Sequence, residues 1–430
     1  MDMRREVRRF TNRLLLGEQE IALTNQPFAL EPHLAGLDEF GLYLHIPFCR
    51  QICPYCPYNK ELYTPQAAEA YTQAVIQEID GYAALLGDKP VTSFYIGGGT
   101  PTSMLHSGLA RILARIQQRF NLLCAPHLES HPNDLNQENL DAISALGVEY
   151  LSIGVEALQD YHLRRLGRNY TAVQARQAIR RAVAQGFRCV NVDLIFALPD
   201  QTHAELRQAA QELIELGVHQ VAAYPLFTFP YTRWQELQKK YRYRHYTLLE
   251  KRSMLAVLED IFYKAGYQRS SVWAFTRQDV PRYCSVTVPL YLGLGASAGS
   301  YLKDIFYLNT FNVAEYIRTM GEKGSAIALS LPLNQRKQMA GWLYWRIYET
   351  HFRKDAFPAR FGAQFDRVYG RLFILLAALQ LCRIKDGEIV LRDGGVYWLH
   401  ALQDLYSIDY VSKLWGASRV EPFPERLTLA

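Results

Sequence analysis

Short apolar runs alternate along the chain with longer stretches in which apolar residues recur at helical intervals. The runs at 42–46, 91–96, 127–131, 150–155, 188–196 and 218–226 predict six strands. Helical spacing covers 65–86, 103–120, 136–146, 172–185, 202–216 and 246–265. Strands alternating with helices of this length imply βαβ units, and therefore an α/β fold with a parallel sheet. Six units suit an incomplete, TIM-like (β/α)6 barrel better than a closed eight-fold one. Such a barrel works from the carboxyl ends of its strands. Those ends carry polar or small residues here: a cysteine-bearing loop after the first, Gly97 to Thr100 after the second, then Glu129, Glu156, Asp193 and Tyr224.

The two ends of the chain read differently. Residues 1–38 form an N-terminal extension with helical spacing at 3–16 and no legible chemistry. Its Arg4, Arg5, Arg8, Arg9 and Arg13 fit a solvated helix face. The barrel is expected over 39–320 and a second domain over 321–430. Pro332 marks that boundary, with helices at 334–348 and 362–379, a hairpin at 381–391 turning at Asp386-Gly387, and a helix at 395–405. Helices plus a small hairpin resemble a helical, winged-helix-like module, read here as a substrate lid or docking domain rather than a DNA reader. The tail at 406–426 is expected to pack back on the body.

Composition narrows the class. A chain of 430 residues can bury a large core in two or three domains. Apolar residues at 49% and charged residues at 21% are those of a globular enzyme. A formal charge of +5 permits an anionic substrate without demanding nucleic acid, and no basic run with interleaved aromatics is read as a nucleic-acid groove. No secretory signal and no apolar run long enough to span a membrane are expected. Seven cysteines, three in one loop and Cys124, Cys189, Cys284 and Cys382 scattered, argue against a disulfide framework and for a reducing cytoplasm.

The loop after the first strand holds the chemistry. Cys49, Cys53 and Cys56 follow a Cys-x3-Cys-x2-Cys spacing, a metal or cluster signal. Zinc sites usually close with four ligands, and His45 in the preceding strand points poorly at the loop. Three cysteines without a fourth suit a [4Fe–4S] cluster with one iron left open. The flanking words Tyr-Leu-His-Ile-Pro-Phe-Cys and Pro-Tyr-Cys resemble radical S-adenosylmethionine (SAM) enzymes. They resemble most the group holding oxygen-independent coproporphyrinogen III oxidase, a haem chaperone, and radical SAM methyltransferases and cyclopropanases.

The resemblance implies Cys49, Cys53 and Cys56 as cluster ligands and S-adenosyl-L-methionine, in one or two molecules, as the second cofactor. By the same resemblance Tyr43, Tyr55, Gly98, Gly99, Thr100, Glu129, Glu156, Arg168 and Asp193 bind SAM, and the glycine-rich stretch 291–301 closes near it. Carboxylates suit an ammonium and ribose hydroxyls, and an arginine fork suits a carboxylate. The implied reaction is reductive cleavage of SAM to a 5′-deoxyadenosyl radical, which takes hydrogen from a tetrapyrrole or related molecule. Methyl or methylene transfer with a second SAM, and haem carriage, are the alternatives. A flavodoxin- or ferredoxin-type electron donor, a small-molecule substrate and a monomer are expected. Three departures stand out. Glu156 replaces the glutamine of many relatives, Tyr58 stands where the oxidase has a further cysteine, and residues 1–38 lack the oxidase's Tyr- and Pro-rich segment.

Overall fold

The computed structural model describes residues 3–18, 20–283 and 289–429. Cys284 lies outside them. Six strands pair in parallel in chain order: β1 (Phe40–Ile46), β2 (Pro90–Gly98), β3 (Pro126–Ser130), β4 (Tyr150–Glu156), β5 (Cys189–Phe196) and β6 (Gln220–Pro225). Strands covered on both faces read as near-continuous apolar runs. Leu42, Leu44, Ile46, Phe94, Ile96, Val190 and Val192 are accordingly buried. Threonine caps fix where the helices after these strands begin. Thr171, Thr202 and Thr247 each form a reciprocal capping box with the residue three positions on, Gln174, Glu205 and Glu250.

The sheet is an incomplete barrel. At one edge Ala274–Arg277 pairs antiparallel with β6. At the other, β7 (Tyr291–Leu294) lies parallel to β1. From β7 the sheet continues antiparallel through Gly299–Tyr301, Ile305–Asn309, Ile327–Pro332, Ile21–Thr24 and Arg426–Leu429. The N-terminal extension and the extreme C-terminus are therefore paired strands of one sheet.

Several elements differ from the sequence expectation. The helix expected at 103–120 is split into a 3-10 turn, Pro101–Met104, and a helix, Leu109–Arg119. Gly108 sits at the break, where a Cβ would fall 1.8 Å from Thr72 Oγ1 on the neighbouring helix Pro65–Leu86. The helix expected at 395–405 runs from Asp393 to Val420, through most of the tail. It is carried on by Tyr410, Leu414 and Trp415, which pack with Leu23, Phe311 and Leu329. His351–Arg353 is a third strand beside the predicted hairpin, Cys382–Lys385 and Glu388–Leu391. The turn before it is made by Thr350 at φ +67.

Candidate functional site

The cysteine loop leaves β1 through Pro47 and is closed at its base by a short parallel pairing of Phe48–Cys49 with Glu61–Leu62. The Tyr63 N–H donates to the Cys49 carbonyl at 2.9 Å. His45 ties the strand to the far side of the loop. Its Nε2 lies 3.1 Å from the Asn59 carbonyl, so that nitrogen donates and Nδ1 accepts from the Tyr43 hydroxyl at 2.8 Å. Burial lowers the His45 pKa to about 4, which keeps the ring neutral. With both nitrogens engaged, His45 braces the loop rather than completing a metal site.

Burial also pushes the Cys49 thiol up to about 12, and raises Cys56 against the pull of Lys60. Thr100 Oγ1 donates to Cys49 Sγ at 3.5 Å, and Lys60 Nζ donates to the Cys56 carbonyl at 2.7 Å. Cys53 opens onto a small cavity lined also by Arg50, Thr100, His131 and Arg168. Among the described residues, no three His, Cys, Asp or Glu side chains gather tightly enough to close on one metal ion. Thiols in so dry a setting ionise only against a strong local positive centre, as bound metal provides. The donor set and its spread fit an iron–sulfur cluster better than a single zinc ion.

Gly98, the last residue of β2, lies against the end of β1, and Gly99 lies directly against this loop. A Cβ on Gly99 would stand 2.8 Å from the Phe48 carbonyl and 3.0 Å from Cys49 Sγ. Gly98 has φ +121, and its Cβ would meet the Ile46 carbonyl at 2.8 Å. The Gly98 N–H donates to Glu129 Oε2 at 3.0 Å, and the Tyr95 hydroxyl donates to the other carboxylate oxygen.

Across the barrel mouth, Glu156 ends β4 in the left-handed region at φ +66. It pairs with Arg168 and accepts from the Tyr224 hydroxyl at 3.1 Å. Both partners of the pair are buried, with side chains 6% and 8% exposed. Arg168 Nε has no hydrogen-bond partner among the described residues. The guanidinium carbon of Arg168 lies 5.8 Å from the Tyr55 ring centroid. Asp193, on β5, accepts from Asn191 Nδ2 at 2.9 Å. Burial, then Glu156 and Glu129, hold its carboxyl well above the ordinary range. Burial likewise raises Glu129.

The structure thus brings Tyr43, Tyr55, Gly98, Gly99, Thr100, Glu129, Glu156, Arg168 and Asp193 together with the three cysteines at one end of the barrel. A buried arginine side chain with a spare donor, beside the buried Glu156 and the half-buried Glu129 and Asp193, fits a zwitterion with an added positive charge, and SAM is such a molecule. Tyr58, by contrast, is 55% exposed and lies against Trp415 of the C-terminal helix.

Three supporting residues went unremarked in the sequence. Tyr95 lies two positions before Gly97, on the alternation that also places Tyr43. Glu78 and Tyr71 hold the glycine-rich stretch at 291–301: Gly295 N–H donates to Glu78 and Ala296 N–H to the Tyr71 hydroxyl. The signal for Glu78 was a lone acid on a helical stripe otherwise made of Tyr71, Val75, Ile79 and Tyr82.

Residues 43–213 match the Radical SAM superfamily. The heme chaperone HemW of Lactococcus lactis is 29% identical over 368 residues, covering 82% of this chain and 93% of that protein. Its namesake in Bacillus subtilis is 26% identical and covers 82% and 95%. The oxygen-independent coproporphyrinogen III oxidase of Salmonella typhimurium is 25% identical, covering 83% and 81%. Among solved structures, coproporphyrinogen III oxidase (HemN) of Escherichia coli superposes with a TM-score of 0.77 at 21% identity, over 89% of this chain and 94% of that one, a likeness of fold.

Proposed function

We propose, for a chain whose residues 43–213 form a radical SAM domain, that it binds a [4Fe–4S] cluster through Cys49, Cys53 and Cys56 and cleaves SAM beside it. Bound there, such a cluster would supply the one electron that cleavage of SAM to methionine and a 5′-deoxyadenosyl radical requires, the radical being the species that would take hydrogen from an organic substrate. One observation carries the reading. A glycine cradle pressed against Cys49 shares a barrel mouth with one buried carboxylate, Glu156, two half-buried ones, Glu129 and Asp193, and an arginine whose buried side chain has a donor to spare.

The chain's own residues divide the work. Without side chains, Gly98 packs its backbone against the end of β1 and Gly99 packs its own against the cysteine loop, which keeps this backbone beside the proposed ligand site. Glu129 orients that backbone through the Gly98 N–H. Arg168, steadied by Glu156, is placed to fork onto the SAM carboxylate. Asp193 and Glu129 supply negative charge for the ammonium and donor-accepting oxygens for the ribose. The buried Tyr55 and the half-buried Tyr43 and Tyr224 narrow the access of water to the space a radical would cross.

The favoured substrate class is a tetrapyrrole or a related molecule, because oxidase and chaperone relatives alike carry porphyrin or haem names. A second reading, haem carriage, is favoured by the relatives named as chaperones, which this chain spans almost end to end. The experiment is anaerobic reconstitution followed by dithionite and SAM. 5′-Deoxyadenosine should form, and Cys53→Ala should lose both iron and product. A fully reconstituted protein that forms none overturns the enzyme reading. Stable haem binding without SAM cleavage selects the carrier, and S-adenosylhomocysteine beside 5′-deoxyadenosine selects group transfer.

A further inference from the structure

One surface beside the cysteine loop has no role in the site. The stretch Thr232–Tyr246 leaves the end of β6, forms the helix Arg233–Lys240, and returns through Lys240-Tyr241-Arg242-Tyr243-Arg244. The return segment alternates basic and aromatic residues. Five residues of the whole stretch are basic and one, Glu236, is acidic. Arg233, Lys239, Lys240 and Arg242 are exposed, and none makes an ion pair among the described residues. Arg244 is paired with Glu250.

The stretch is fastened to the cysteine loop. The Trp234 backbone N–H donates to the carbonyl of Pro54, between Cys53 and Tyr55, at 2.9 Å. The Tyr231 hydroxyl donates to the Pro57 carbonyl at 3.3 Å. Trp234 is fully buried and stacks on Tyr243, with centroids 5.7 Å apart. Tyr243 in turn stacks on Tyr241, and Arg165 lies over both Tyr243 and Tyr161. Charges are thus mounted on a rigid aromatic wall one residue from a cluster ligand. Tyr241 and Tyr161, 54% and 45% exposed, give the patch an apolar centre.

We propose that this ridge, with Arg233, Lys239, Lys240, Tyr241 and Arg242 at its crest, is where an acidic one-electron carrier protein docks to reduce the cysteine loop. The inference rests on the radical SAM reading, which requires an electron from outside. One electron leaves the carrier, which is oxidised by one equivalent, and enters the group at the loop; no bond breaks and no proton moves. Unpaired surface cations steer an acidic partner at long range, and exposed tyrosine and arginine are the residues enriched at protein interfaces. Single-stranded nucleic acid fits the ridge less well. Binding it takes a series of free aromatic faces, and Tyr243 is spent on Trp234 and Tyr241.

The test uses a bacterial flavodoxin and the cluster-reconstituted chain. Binding of oxidised flavodoxin is measured by calorimetry at low and physiological salt, and SAM cleavage is driven separately by reduced flavodoxin and by dithionite. The variant is Arg233→Glu/Lys239→Glu/Lys240→Glu, with Lys239→Gln/Lys240→Gln as a milder companion. Charge reversal should weaken flavodoxin binding at least about tenfold and slow flavodoxin-driven cleavage in step, with wild-type binding weakened by salt. Dithionite-driven cleavage should be unchanged, and the glutamine variant should fall between. Unaltered flavodoxin binding overturns the proposal, as does equal loss with dithionite. So does a single-stranded oligoribonucleotide that displaces flavodoxin and depends on the same cations. If dithionite yields no 5′-deoxyadenosine from the wild type, the radical SAM reading has failed, and the binding measurement still decides whether this ridge takes an acidic carrier.

Discussion

Asp193 faces two other carboxylates inside the barrel, and burial with Glu156 and Glu129 raises its pKa. A cationic ligand reverses that balance, since opposite charge favours the ionised form. The free protein therefore holds a proton that the complex gives up. Affinity for SAM should rise with pH until Asp193 is ionised in the free protein, and binding should release protons. Calorimetry in two buffers of different ionisation heat measures the release, and Asp193→Asn should abolish it. Release that persists in that variant would assign the proton elsewhere. Gly99 makes a second local prediction. Its missing Cβ would meet backbone atoms of Pro47 and Phe48 at 2.9 and 2.8 Å, so Gly99→Ala cannot be relieved by turning a side chain. The loop must shift, and Cys49 with it. The reconstituted variant should hold less iron than wild type, measured per chain, while its far-ultraviolet circular dichroism is unchanged; full iron content would mean the cradle is not tight.

The helix Pro65–Leu86 does more than cover the sheet. Glu78 accepts from the Gly295 N–H at 2.7 Å, from Asn309 Nδ2 at 2.6 Å and from the Tyr316 hydroxyl at 2.7 Å. Tyr71, two turns earlier, donates to the His45 carbonyl at 2.7 Å. One helix thus clamps the end of β1 to the turn after β7. Glu78→Ala would strand buried donors at a cost of about 1–3 kcal/mol each, so a loss of about 3 kcal/mol or more in chemical unfolding is expected. A loss below about 1 kcal/mol would mean that water or a neighbour takes over the donors. This clamp also explains what could be read from the sequence. The six barrel strands and their helices were legible because each carries its own period and caps. The cysteine spacing was legible for the same local reason, whereas Glu129, Glu156 and Asp193 stood out only through the family resemblance, and Asp193 lies within β5 rather than at its end. The strands Ile21–Thr24 and Arg426–Leu429 were not, because each is defined by a partner some four hundred residues away. Glu78 and Tyr71 were hidden likewise: their partners on the 291–301 stretch are distant in sequence, and a single acid on an apolar stripe does not name what it binds.

The chain closes on itself beside the cysteines. The C-terminal helix Asp393–Val420 reaches over the loop, where Trp415 meets Tyr58, Tyr231 and Phe311 with centroids 5.7, 6.3 and 5.9 Å apart. Arg419 lies 4.9 Å from the Tyr231 ring centroid. From beneath, Asn59 Nδ2 donates to the Phe311 carbonyl at 2.8 Å, tying the loop to the sheet extension that ends in the two terminal strands. Tyr58 is therefore an anchor for the C-terminal helix. The loop's order depends on both ends of the chain, and cutting one tie should loosen the loop before the barrel. Trp415→Ala removes a half-buried ring, with an expected cost of about 2 kcal/mol, less than for a fully buried tryptophan. Hydrogen exchange should speed up at residues 54–60 and along the helix, while β3 to β5 exchange as in the wild type. An iron–sulfur absorbance that bleaches faster in air should accompany it, since a looser loop admits oxygen and solvent to the cysteines more readily. Exchange that quickens throughout the barrel would mean that the helix stabilises the whole sheet, and exchange unchanged at 54–60 would mean that Asn59 and the loop's own pairing with Glu61–Leu62 suffice to hold it.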